Sequence, residues 1–163
     1  MSSAPPPLPR VVLDTVVFVQ TLISGRGPSA RCIERLRGGD FILLLSEPLL
    51  VEMREVPLRP ELTSRYSHLS SERDAGFVTE VESLGVKVTA PQRAFALPRD
   101  PDDEPLLDLA VAGDADYLVT WNDRHLTYLM RGDTPEGREF LSRYPKLRIV
   151  SPPEFLATLE RTP

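Results

Sequence analysis

Five short apolar runs, at Val11–Phe18, Phe41–Leu45, Val86–Thr89, Tyr117–Thr120 and Leu147–Val150, recur along the 163 residues. Each is too short for a buried helix and reads as a strand, while the stretches between them carry helical periodicity. Alternating strands and helices restrict the chain to an α/β architecture with a mostly parallel sheet. Strands joined by helical crossovers run the same way, whereas antiparallel neighbours need only tight turns.

Caps and breakers set the helix limits. Gly25-Arg26-Gly27-Pro28 leads into a helix over Ser29–Arg37 that Gly38-Gly39 ends. Ser46 caps the next, with Pro48 in its first turn and Pro57 closing it. Further helices are expected at Pro60–Tyr66, at Ser71–Leu84 before Gly85, from Pro101 to Gly113, and at Thr134–Arg143. Ser151-Pro152-Pro153-Glu154 forms a capping-box start for a final helix through Leu159. One domain is expected over residues 10–160, preceded by a proline-rich, disordered tail at 1–9 that lacks the features of a signal peptide.

No stretch approaches the roughly 20 apolar residues of a membrane span. The single Cys32 excludes an internal disulfide and suits a reducing cytoplasm; Ala30, Ile33 and Leu36 place it on a core face. A net charge of −5 argues against broad, sequence-independent nucleic-acid binding. It leaves a nucleic-acid enzyme open, because an acidic metal site carries negative charge itself, and Arg26, Arg31, Arg35, Arg37, Arg54 and Arg59 offer a local basic patch. No Cys/His spacing fits structural zinc, and the chain has neither a glycine-rich phosphate loop nor a GxSxG elbow.

The chemistry rests on acids in apolar company. Asp14 follows Val11-Val12-Leu13 and precedes Thr15. A carboxylate there is costly unless hydrogen-bonded or paired with a cation, so it is either a strand-end acceptor of backbone hydrogen bonds or a ligand. In open α/β sheets, ligands gather beyond the carboxyl ends of strands, where Asp14 belongs. Glu52 lies at the edge of the inward stripe Leu49, Leu50, Met53 and Val56, where an arginine-paired surface glutamate is also a fitting reading. In RDPDDEPLLDLA, Asp103 projects with the inward Leu106 and Leu107, while Glu104 and Asp108 project away. A favourable helix dipole explains an acid-rich first turn but not an inward-facing acid. The fourth strand ends in Thr120-Trp121-Asn122-Asp123, a second polar cluster at the same sheet edge, or a turn. His125, three residues beyond Asn122, faces either the cleft or a packed helix; His68 reads as a surface residue.

VVLDT, LLSEPLLVEMREV-x-x-RPEL, RDPDDEPLLDLA, ADYLVTWNDRHL and RIVSPPEFL, in this order and spacing, resemble the PIN-domain family, specifically its toxin–antitoxin toxin branch. The resemblance runs from Arg10 to Leu159. It implies a three-layer α/β/α sandwich around a parallel sheet of order 3-2-1-4-5, and Mg²⁺- or Mn²⁺-dependent endoribonuclease activity. By motif, the catalytic positions fall on Asp14, Glu52, Asp103 and Asn122, with Asp14 and Asp103 as metal ligands. Thr15, Thr120 and Ser46 supply supporting hydroxyls, and Asp123 or Asp100 adds charge. The resemblance also implies an RNA substrate, an antitoxin partner and a homodimer. Two positions depart from the family pattern: Val16 stands where asparagine is common, and Asn122 where aspartate is usual. They leave open a degenerate domain that binds RNA or a protein partner without cleaving. A haloacid-dehalogenase-type phosphatase also starts on a strand-ending aspartate, but it needs a second aspartate at the position of Val16.

Overall fold

The computed structural model describes residues 4–89, 91–97 and 100–161. Strand β1 (Arg10–Leu13) is followed by helices α1 (Thr15–Ile23) and α2 (Pro28–Arg37). Next come β2 (Ile42–Leu45), α3 (Glu47–Glu55), α4 (Pro60–Thr63), α5 (Ser71–Leu84) and the short β3 (Val86–Lys87). The remainder is α6 (Glu104–Ala112), β4 (Tyr117–Val119), α7 (Pro135–Arg143), β5 (Arg148–Val150) and α8 (Pro152–Arg161). The five strands form a sheet of order β3-β2-β1-β4-β5, and every pairing is parallel. Connections step from β1 outward to β3, then across to β4 and β5. Right-handed crossovers in opposite directions place α1–α5 on one face and α6 and α7 on the other. The expected three-layer α/β/α sandwich is therefore the architecture of the chain.

Every residue from Val11 to Leu13 and from Leu43 to Leu45 is buried, as a sheet covered on both faces requires. The expected caps are in place. Ser46 Oγ accepts the Leu49 amide at 3.4 Å, Thr134 Oγ1 accepts that of Gly137 at 3.0 Å, and Ser151 Oγ accepts that of Glu154 at 3.3 Å. Among the described residues, no helix is long and apolar enough to cross a membrane. Residues 4–9 hold no regular structure, and the Pro9 carbonyl accepts the Ile42 amide at 2.9 Å.

One reading needs correction. The first apolar run is not one strand to Phe18: β1 stops at Leu13 and residues 15–23 are helical. β-branched residues favour strands, but valine loses under about 0.7 kcal/mol in a helix. Burying Val17, Phe18 and Val19 in the core is worth roughly 1.5–3 kcal/mol each. Packing outweighs propensity there. Segment 91–97, which has no periodic signature, carries Phe95 and Leu97 into the core, 6% and 0% exposed. Phe95 meets the Phe140 ring edge-on at 5.2 Å.

Candidate active site

Asp14 occupies the first position beyond β1, the central strand, and its backbone N–H still donates to the Val119 carbonyl at 2.9 Å. The carboxylate is therefore held at the carboxyl edge of the sheet, between β2 and β4. Thr120, immediately after β4, donates its hydroxyl to Asp14 Oδ2 at 2.7 Å and accepts the Asn122 amide at 3.0 Å. From α1, Thr15 donates to Glu52 Oε2 at 2.6 Å, which draws the exposed end of the Glu52 side chain toward the cleft instead of toward an arginine. Asn122 Nδ2 donates to Asp103 Oδ2 at 2.7 Å. Asp14, Ser46, Glu52 and Asp103 line one cleft, and among the described residues no Lys or Arg lines it. Ser46 takes part as the buried cap of α3, with its hydroxyl engaged by the backbone.

The electrostatics follow from that crowding. Burial holds the Asp14 carboxyl above its ordinary value, opposed by the Thr120 hydroxyl and the amides of Val16 and Thr15, while Glu52 adds a repulsive charge. Asp103 is pushed up to about 7, first by burial and then by the charges of Asp14, Asp100 and Glu52. Its hydrogen bond with Asp100 needs a proton on one of the two carboxyls, and this raises it further.

Asp123 stands apart from this cluster. It accepts from the Thr127 hydroxyl at 2.6 Å, lies 3.6 Å from Arg131, and its side chain is 79% exposed. Asp100 lies beside the cluster. Its Oδ2 sits 2.9 Å from His125 Nδ1, and one ligand atom each from Asp100, Asp103 and His125 lie within 4.8 Å of one another. His125 thus faces the cleft, through a turn in which its amide donates to Asn122 Oδ1 at 3.1 Å. The sequence signal was the spacing of three from Asn122, which alone did not separate cleft from core. His68 is exposed, with Nε2 between the carbonyls of Leu22 and Ile23 at the end of α1. Cys32 is buried and its thiol is pushed up to about 12 by desolvation, so it holds no reactive thiolate.

The outward acids of α6 have structural partners. Glu104 Oε1 accepts the Leu97 amide at 2.9 Å and Asp108 Oδ1 the Ala94 amide at 2.8 Å. Asp108 is buried beneath segment 91–97 instead of facing solvent.

Carboxylate oxygens converging, among the described residues, without a balancing Lys or Arg form the donor set that hard divalent ions such as Mg²⁺ and Mn²⁺ prefer. The site thus fits a divalent metal. Comparison with known families agrees: the model described as "PIN domain" matches residues 10–124. The chain belongs to the PIN domain family, whose members are generally nucleases. No curated protein matches it.

Proposed function

We propose that this PIN domain is a metal-dependent endoribonuclease using Mg²⁺ or Mn²⁺, and that it serves as the toxin of a toxin–antitoxin pair. One observation carries the catalytic part: Asp14, Glu52, Asp103 and Asn122 converge at the carboxyl edge of the central strands in a cleft that, among the described residues, no Lys or Arg lines. Asp14 and Asp103 would hold the ion, with Asp100 and His125 near enough to share it. A divalent ion bound there would lower the pKa of water and offset charge on the leaving oxygen.

The residues divide the remaining work. Glu52, oriented by Thr15, takes the proton of the attacking water through the oxygen that Thr15 leaves free. Water adds to phosphorus and the bond to the 3′ oxygen breaks. That oxygen takes up a proton from solvent water, giving 5′-phosphate and 3′-hydroxyl ends. Thr120 orients Asp14, and Asn122 orients Asp103.

Toxin role, antitoxin, homodimer and cytoplasmic setting rest on the sequence resemblance, with an inhibiting antitoxin segment expected to bring a basic side chain to the acidic cleft. A second reading is a degenerate domain that binds without cutting. It draws on Asn122, a neutral amide where the family has a carboxylate, and on Val16; against it, Asp100 returns a charge to the same corner.

Cleavage of a mixed RNA pool with Mn²⁺, Mg²⁺ or EDTA, beside the Asp14→Asn protein, tests the choice. Metal-dependent cutting that the variant lacks is the expected result. A folded parent protein that cuts with neither metal would move the assignment to the binding-only domain.

A further inference from the structure

Trp121 lies between two residues of the site. Thr120 before it bonds Asp14 and Asn122 after it bonds Asp103. The indole is nevertheless 41% exposed, an unusual place for the protein's only tryptophan. Its orientation is fixed from beneath: Nε1 donates to Ser29 Oγ at 3.1 Å, and Ser29 donates to Gln20 Oε1 at 2.6 Å. Ser29 itself is 3% exposed, so the ring is tethered to a buried post on α2. On α1, Val16 sits one turn before Gln20 on the same helix face and is 44% exposed. Two exposed apolar side chains therefore stand close in the chain to residues of the site, Val16 two after Asp14 and Trp121 next to Thr120. Around Ser29, Arg26 and Arg31 are exposed, and neither lies within ion-pair distance of a described carboxylate.

A held, exposed aromatic ring beside a phosphodiester-cleaving centre has a natural ligand in the face of a nucleobase, since a phosphate at the acids brings its neighbouring nucleosides to the same turn. We propose that Trp121 is a stacking platform for a base next to the scissile phosphate, with Val16 packing against the sugar or base edge and Arg26 and Arg31 available to the strand's phosphates. Trp121 is then a positioning residue for single-stranded substrate. The inference rests on the nuclease reading of the site, and it accounts for an apolar residue at position 16, where a polar one would interrupt the platform.

With one tryptophan in the chain, indole fluorescence reports this contact directly. A short single-stranded RNA is titrated into the full-length Glu52→Gln protein with Mg²⁺, alongside a series in which single positions are abasic. Saturable quenching that one abasic position abolishes is expected. In the cleavage assay, Trp121→Ala should raise KM about tenfold, equivalent to about 1.4 kcal/mol, with kcat little changed. Trp121→Phe should recover most of the loss, which a purely structural defect in the alanine variant would not predict.

RNA binding seen by anisotropy without any change in indole emission overturns the proposal, as does no RNA binding. So does an emission shift that follows protein concentration and ignores RNA, because the ring would then be a contact between protein chains. Quenching by RNA without cleavage by the parent would keep the platform and reject the nuclease. Normal cleavage by Trp121→Ala at unchanged KM would do the reverse.

Discussion

Helix α6 and the turn before it carry acids on two sides, and the two sides behave oppositely. Toward the cleft, Asp103 meets Asp14, Asp100 and Glu52 and is raised to about 7. Toward segment 91–97, Glu104 accepts the Leu97 amide and faces Arg93 at 2.9 Å, which holds it below its ordinary value. Nearly adjacent residues thus have opposite responses, decided by what surrounds them. Acids whose partners are present stabilise the fold, whereas acids that repel one another need a partner from outside, as functional sites commonly do.

The strongest way to break this contrast is to neutralise one acid on each side. Asp103→Asn should lower RNA cleavage at least a hundredfold, since even outer partners of metal ligands are worth about 10–100-fold. The same change should raise the melting temperature of the metal-free protein at pH 8 by a few degrees, on the order of 1 kcal/mol, by removing a crowded charge. If stability fell instead, the crowding would not be repulsive. Asp108→Ala should do the opposite: it strands the Ala94 amide and loosens segment 91–97, lowering stability by about 1–3 kcal/mol in denaturant melts.

A smaller effect sharpens the comparison through pH. With metal chelated, Asp103 binds a proton in the folded state that the unfolded chain, at an ordinary 3.8, releases. Its contribution is therefore most favourable below pH 4 and falls as pH rises to about 7. Glu104, lowered in the folded state, contributes above the ordinary carboxylate range and loses that contribution on acidification. Melting temperature against pH should match the parent in acid for both variants, then rise above it for Asp103→Asn and fall below it for Glu104→Gln toward pH 8. Deviations of the same sign would remove the distinction.

The parts of the molecule legible in sequence were those with local or periodic signatures. Ser46 and Ser151 announced helix starts because capping is decided within a few residues. Asp14 and Asp103 stood out as acids in apolar settings, whereas Glu52 and Asn122 were ambiguous on their residues alone and were picked out by the resemblance. Helix α1 was not visible, because Val16, Val17 and Val19 carry a strand propensity that only tertiary burial overrides. Segment 91–97 was equally hidden: its burial depends on Glu104, Asp108 and Phe140, all distant in sequence from a strand or helix pattern of its own. His125 needed the turn after β4 before its direction could be read.

The hydroxyl of Thr120 carries a final consequence. Because its oxygen already accepts the Asn122 amide, its one proton is directed to Asp14. The carboxylate is thereby stripped of rotational freedom when the chain folds. The ordering entropy is surrendered on folding, and under the proposed function an arriving ion or strand would meet an acid already in position.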